Sequence, residues 1–339
     1  MTAWDDLNAR ARGLGTHLLG RQALEQLAQA RDLPAVAAEL ERRGYLIEEA
    51  TRASAAGLEL AARRVIGQRL KILGRWAGPR TEVLAVLFED EERRSIAALV
   101  RGAVQRAPVE QRLSGLVPTP ELPERALEEL ARQPAPGPVA SLLSAWRHPL
   151  APALLPEVGR AEPDLLRIET ALARAFARRA LRKSWRDGRR GVLARYVQRV
   201  IDIENGYTVL ALSTEKNPRL GEHWLPGGRA LTMDHAERAA KAGERTAAGR
   251  LLAVAFQGSP LANAFADPEG GPAGLELSVL AALIAELRAL ARTAPLSPAP
   301  LLSYALRLRA EVLDVRRLVW GISLGAPTKL LIEGLVSAP

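Results

Sequence analysis

The segment 321–325 has the residue spacing of a serine nucleophile. It reads Gly-Ile-Ser-Leu-Gly, which matches the G-x-S-x-G turn of the serine hydrolases. That turn needs a strand before the serine and a histidine later in the chain. Here a helical pattern precedes Ser323, and residues 326–339 contain no histidine. The segment therefore predicts a glycine-flanked helix end and not an acyl-transfer site.

Histidine and cysteine do not form a metal or redox site. The chain has no cysteine, which excludes thiolate metal ligands, disulfides and cysteine nucleophiles. No two of the four histidines are three or four residues apart, the separation that brings two ligands to one helix face. A G-x-x-x-x-G-K-S/T phosphate loop is also lacking. The sequence therefore predicts no catalytic residue, no cofactor, no metal and no small-molecule substrate.

Three aspartates recur at equal spacing. Asp90, Asp202 and Asp314 follow one another at intervals of 112 residues. Equivalent positions in repeated units would lie far apart, so they would not form a general acid–base pair. We expect each to lie near the N-terminus of a following helix, where the helix dipole stabilises an acid by roughly 0.3–1 kcal/mol.

The segment 174–199 is strongly basic, with Asp187 as its single acid. Such a segment can dock an acidic protein surface, a nucleic-acid backbone or anionic lipid headgroups, or can simply be a solvated helix face. Trp185 and Tyr196 interleave only thinly with the cations, which argues against base stacking and nucleic acid. The candidate partner-docking residues are Arg174, Arg178, Arg179, Arg182, Lys183 and Arg186.

Composition indicates a globular helical protein. The 339 residues are 48% hydrophobic and 4% aromatic, with a formal net charge of +9. No apolar run reaches the ~18–20 residues of a membrane-spanning helix. We therefore expect a cytoplasmic protein that is at most peripheral to the membrane.

The elements that must position these residues are helices. Strand patterns are nearly absent, and the apolar residues of 301–319 recur every three or four positions, which predicts one helix. The range 164–184 shows a second such pattern, with arginines off the apolar face. The sequence therefore predicts an all-α fold.

The helical pattern is itself repeated. Ala-Leu-Glu-Gln-Leu-Ala at 23–28 recurs as Ala-Leu-Glu-Glu-Leu-Ala at 126–131, and Glu59, Glu169 and Glu276 have similar neighbours. These matches and the spaced aspartates predict an internal triplication. The expected domains are three similar helical bundles, residues 1–117, 118–225 and 226–339. Three equivalent units tend to pack around a pseudo-threefold axis, which gives a funnel-like arrangement.

Threonines near the starts of repeats are predicted helix caps. Thr119, Thr232 and Thr328 each follow a proline and precede a helical pattern. A threonine hydroxyl at such a position can accept a hydrogen bond from a free amide of the first turn.

An ordered set of short motifs resembles a known family. Residues 7–12 read Leu-Asn-Ala-Arg-Ala-Arg, residues 201–205 read Ile-Asp-Ile-Glu-Asn, and residues 225–228 read Leu-Pro-Gly-Gly. Further matches follow at Pro295, Leu296, Tyr304, Glu311, Arg317 and Gly321. In this order the motifs resemble the C subunit of archaeal and bacterial A/V-type rotary ATPases, the relative of the eukaryotic vacuolar subunit d.

The resemblance implies a rotor part without a nucleotide site of its own. It implies three all-helical domains that form a funnel, are seated on the membrane ring of proteolipid subunits and receive the central shaft. Such a subunit is non-catalytic and couples ATP turnover to proton or sodium transport. The alternative is an arginine-rich helical adaptor that binds nucleic acid or an acidic protein surface.

The chain also departs from the family pattern. The first repeat has Arg93 where the second has Asn205, and a pI near 10.5 is unusually basic for the family.

Overall fold

A computed structural model describes residues 4–160, 163–185, 191–268 and 271–336. Across these ranges the chain forms α- and 3₁₀-helices joined by turns, with no strand. The predicted all-α fold is confirmed. Arg186 and the acid Asp187 fall outside the described ranges.

The helices follow an N-terminal helix α1 (Asp5–Gly15) in three groups. The first group consists of α2 (Arg21–Ala28), α3 (Leu33–Arg42), a 3₁₀ helix (Glu49–Thr51), α4 (Ala55–Ala77), a 3₁₀ helix (Gly78–Arg80), α5 (Thr81–Val104) and α6 (Val109–Leu113). The second consists of α7 (Glu124–Ala131), α8 (Pro136–Ala145), α9 (Ala151–Val158), α10 (Leu165–Ser184), α11 (Val192–Leu212) and α12 (Leu220–His223). The third consists of α13 (Met233–Ala240), α14 (Arg245–Ala255), α15 (Leu261–Ala266), α16 (Gly271–Thr293), α17 (Ala299–Ser323) and α18 (Thr328–Glu333).

Helix lengths recur in the same order in each group. An 8-residue helix opens each one, and a helix of 10 or 11 residues follows. After a short helix come two long ones, of 20–23 and then 21–25 residues. We propose that this order reflects an internal triplication with joints between α6 and α7 and between α12 and α13, where residues 118 and 226 lie.

Contacts divide the chain into two compact units. The first combines the chain up to Ala135 with the part from Pro300 onwards, and the second is Pro136–Ala299. This division into two units does not test the predicted domains 1–117, 118–225 and 226–339, which stay a prediction.

Leucine and valine dominate the core of the first unit. Leu24 and Leu40 from the two short helices and Leu58 from α4 pack with Leu318 and Val319 of α17, all fully buried. Burying each such side chain contributes roughly 1.5–3 kcal/mol. The apolar stripe predicted over 301–319 thus packs against the N-terminal helices of the same unit.

Paired long helices and an aromatic stack form the core of the second unit. Phe176 of α10 and Val197 of α11 are buried. The rings of Phe256 and Phe265 stack with their centroids 4.9 Å apart. Gly206 on α11 makes room for this stack, since a Cβ there would lie 2.7 Å from Phe265 Cζ.

The second helix of each group is followed by a residue with positive φ. These residues are Gly44 (φ +86°), Arg147 (φ +56°) and Gly258 (φ +79°). At the first two positions the next amide returns to the helix, from Tyr45 N to Leu40 O (3.1 Å) and from His148 N to Leu143 O (2.9 Å). Glycine adopts this backbone conformation without strain, whereas arginine does not.

Replacing Arg147 with glycine is expected to stabilise the protein. Because the Arg147 side chain is exposed, its removal loses few packing contacts, and glycine relieves the strain of the positive φ. After allowing for the greater freedom of glycine in the unfolded chain, the gain is about 0.5–1 kcal/mol in the free energy of unfolding. Chemical denaturation measures it. Gly44→Ala and Gly258→Ala should change it in the opposite direction, and equal effects at all three sites would contradict the argument.

Candidate functional site

The basic face predicted on α10 begins with an arginine that binds its own chain. Arg174 is half-buried, and its Nη2 group donates to the carbonyl oxygens of Glu222 (2.9 Å) and Trp224 (3.2 Å). Arg174 therefore ties α10 to the segment around the end of α12.

The next two arginines on the same face are exposed. Arg178 makes one long hydrogen bond to the Arg174 carbonyl within its own helix, at 3.4 Å. Arg182 is exposed one turn later, and Trp185, just past the helix end, is 44% exposed. Positions 178, 182 and 185 are spaced four and three residues apart and so share one helix face.

The remaining basic residues have varied surroundings. Arg179 and Lys183 are half-buried, and each has an interaction within the chain. Arg199 on α11 forms a two-point ion pair with Glu286 at 3.0 and 3.1 Å. Arg186, the last of the six predicted docking residues, is outside the described ranges.

The Asp-x-x-Asn motif on α11 holds the turn that follows α12. Asn205 is fully buried; its Nδ2 donates to Leu225 O and its Oδ1 accepts from Leu225 N, both at 2.9 Å. The buried Asp202 carboxylate accepts hydrogen bonds from the amides of Arg229 (2.9 Å), Ala230 (2.9 Å) and Leu231 (3.2 Å). The two side chains thus bind both ends of the Pro-Gly-Gly turn.

Only glycine fits the turn itself. Gly227 has φ +108°, and a Cβ there would lie 2.6 Å from Leu181 Cδ1. A Cβ on Gly228 would lie 2.2 Å from the Asp202 carboxylate oxygen Oδ1. The motifs at 201–205 and 225–228 are therefore two halves of one packing arrangement.

The other two spaced aspartates are buried in the middle of long helices. Asp90 on α5 forms ion pairs with Arg93 (2.9 Å) and Arg94 (3.1 Å). Burial acts to raise its pKa, but these two arginines outweigh it and hold the pKa well below the usual range. Asp314 on α17 accepts a hydrogen bond from the amide of Val336 at 2.7 Å.

The expected stabilisation of these aspartates by helix dipoles is therefore wrong. All three are interior residues of a long helix, so they are remote from the helix ends where the dipole acts. Asp202 and Asp314 instead bind backbone amides that follow the next short helix, α12 or α18, and Asp90 binds arginines of its own helix.

The three predicted threonine caps differ. Thr232 accepts from His235 N at 3.3 Å and caps α13, as predicted. Thr119 accepts from Leu122 N at 3.0 Å but caps a turn, because α7 begins only at Glu124. Its hydroxyl also donates to the buried Glu92 of α5 at 2.7 Å. Thr328 is the first residue of α18 and makes no capping bond, so that prediction is wrong.

A buried ionic network joins α17 to the N-terminal helices of the first unit. The carboxylate of Glu311 accepts from Arg69 Nη1 (2.8 Å), Tyr45 Oη (2.8 Å) and Leu19 N (2.5 Å). Burial raises the pKa of Glu311, while these three donors act to lower it. Arg69 also donates to the carbonyl oxygen of His17 at 2.9 Å. This network was not predicted from the sequence.

The end of α17 is packed closely by α18. Arg317 Nη2 donates to Leu330 O at 3.1 Å, and a Cβ on Gly321 would lie 2.2 Å from Leu331 Cδ2. Gly325 has φ +69° and follows the helix. The Gly-Ile-Ser-Leu-Gly segment is thus a helix end, as predicted.

The described residues contain no group of three or more acidic or histidine side chains able to hold a metal ion. Within the same ranges no helix is long and apolar enough to cross a membrane. A cavity between α4, α5 and α17 encloses about 10 Å³, space for at most one water.

Comparison with known proteins gives one family. The family model described as ATP synthase (C/AC39) subunit matches residues 7–331. Comparison with individual curated proteins gave no match. Because the family match covers nearly the whole helical chain, including every motif described above, the chain belongs to the C/AC39 family, the C or d subunits of V/A-type rotary ATPases.

Proposed function

We propose that this chain is a non-catalytic central-stalk subunit that couples the rotating shaft of a V/A-type ATPase to its membrane proteolipid ring. In this role it transmits torque between ATP turnover and proton or sodium transport. It is peripheral on the cytoplasmic membrane face and is held there by protein contacts. The observation that carries the proposal is the family match over residues 7–331.

Buried side-chain hydrogen bonds at two joints support a mechanical role. A part that transmits torque has to keep its joints stiff under load. The Asp202 and Asn205 side chains fix the joint before α13, and Glu92 with Thr119 fixes the joint before α7. Buried, fully satisfied hydrogen bonds of this kind rigidify the backbone that they hold.

Co-purification from membranes tests the proposal. The tagged full chain is recovered from detergent-solubilised membranes at moderate salt, and its partners are identified by mass spectrometry. We expect the catalytic head, the shaft and the proteolipid subunits together. Recovery without any ATPase subunit would overturn the proposal, and recovery of nucleic acid or an unrelated acidic protein instead would support the arginine-rich adaptor.

A further inference from the structure

We propose that Arg178, Arg182 and Trp185, here called the α10 stripe, dock an acidic surface of another protein subunit of the ATPase. This inference rests on the proposed function, because it requires the chain to be part of that complex. The three residues share one exposed helix face.

Among the described residues, acidic neighbours of the α10 arginines lie near the start of the helix. Near its start, Arg167 lies 3.6 Å from a carboxylate oxygen of Glu157 and 3.7 Å from one of Glu222. Further along, Arg178 and Arg182 form no ion pair with any acid in the described ranges. In the part of the chain that the structure describes, these two cations one helical turn apart therefore have no acidic neighbours like those of Arg167. Charge complementarity predicts that a partner supplies them.

The geometry suits carboxylates on a protein. Residues four apart on a helix are ≈ 5–6 Å apart at Cβ, which is also the spacing of acids one turn apart on a partner helix. The planar guanidinium groups can bind such carboxylates through two hydrogen bonds each. Trp185, 44% exposed at the end of the stripe, adds apolar area that is typical of the centre of an interface.

Anionic lipid fits the stripe less well. Lipid-binding segments usually carry clusters of four to eight cations. In the described part of α10 beyond Arg174, Arg179 and Lys183 are half-buried, which leaves Arg178 and Arg182 as the exposed cations. Arg186, Arg189 and Arg190 lie outside the described residues. A protein surface with a few matched acids is the occupant that we propose, and lipid is the alternative that the crosslinking experiment below tests.

Charge reversal in the full chain tests the stripe. The variant Arg178→Glu/Arg182→Glu is compared with Arg238→Glu/Arg250→Glu, which changes charge equally at two exposed positions on α13 and α14. We expect the stripe variant to co-purify with ATPase subunits on the order of tenfold less at low salt, a loss of ~1.4 kcal/mol. The control variant should match the wild type, and raising the salt should weaken wild-type recovery more than that of the stripe variant.

The outcomes separate the stripe from the proposed function. If the wild type recovers no ATPase subunits, the proposed function and the stripe both fail. If the wild type recovers them and the stripe variant does so equally at every salt concentration, only the stripe fails. Thermal unfolding of each variant checks folding, and Arg178→Gln/Arg182→Gln replaces the reversal if the latter misfolds.

Photo-crosslinking identifies the occupant. Benzoylphenylalanine is introduced in place of Trp185, and the purified complex is irradiated in detergent with native lipid. We expect crosslinks to one acidic segment of an ATPase subunit. Crosslinks to lipid or nucleic acid, or none at all in an intact complex, would overturn the assignment of a protein partner.

Discussion

Replacing Glu311 with leucine is expected to lower the free energy of unfolding by about 3–5 kcal/mol. The substitution leaves the guanidinium of Arg69 without its carboxylate partner. Both groups are buried, since the side chain of Arg69 is 11% exposed and that of Glu311 is 1% exposed. It also removes the acceptor of the Tyr45 hydroxyl and of the Leu19 amide. A buried donor left without a partner keeps its full desolvation cost.

Two further variants separate the contributions. Tyr45→Phe removes one hydrogen bond and should cost about 1 kcal/mol. Arg69→Met combined with Glu311→Leu removes both charges and should recover much of the loss, because an apolar pair of similar volume is often as stable as a buried ion pair. Denaturant titration measures each one. If Glu311→Leu costs less than Tyr45→Phe, the carboxylate is not the centre of this network.

The class of fold follows from periodicity alone. In 301–319 the apolar residues recur at the helical spacing, and α17 (Ala299–Ser323) covers that range. The predicted helix over 164–184 agrees with α10 (Leu165–Ser184) to within a residue. Such long, regular segments are helical whichever part of the chain covers their apolar face, so their conformation can be predicted without knowing their packing partners.

The partners of the buried charges could not be predicted in the same way. Glu311 lies beside the apolar stripe of α17, which signals a buried acid, but its partners Arg69 and Tyr45 are 242 and 266 residues away in sequence. Nothing in the residue pattern of one helix specifies which distant cation meets it. The equal spacing of Asp90, Asp202 and Asp314 was visible, yet their three different sets of partners depend on tertiary packing.

The basic segment shows the same limit. The ten cations between 174 and 199 look alike in the sequence, but those that the structure describes have different surroundings. Arg174 binds two carbonyl groups and Arg199 binds Glu286, whereas Arg178 and Arg182 are exposed. Charge counting therefore gives the sign of a candidate partner, and only packing indicates which cations can reach it.

Replacing Asp202 with alanine is expected to cost about 2–3 kcal/mol of unfolding free energy and to loosen the joint before α13. Three amides, those of Arg229, Ala230 and Leu231, lose their shared acceptor. Each unsatisfied donor costs about 1–3 kcal/mol where it stays buried, and water can reach part of this segment. Burial raises the pKa of Asp202 despite these bonds, so removing the carboxylate also recovers some desolvation cost.

Hydrogen exchange distinguishes the local loss of the Asp202 hydrogen bonds from a general loss of stability. In Asp202→Ala the amides of residues 229–231 should exchange faster than in the wild type, with a larger change than the amides of α11 and α13 show. Asp234→Ala, at an exposed position in the first turn of α13, should leave them unchanged. Unchanged exchange at 229–231 in Asp202→Ala would show that the turn is held by other contacts. If the joint bears torque in the assembled ATPase, as the proposed function requires, and yields under load, this variant should also transport fewer ions per ATP hydrolysed, because rotation lost in a yielding joint is not transmitted.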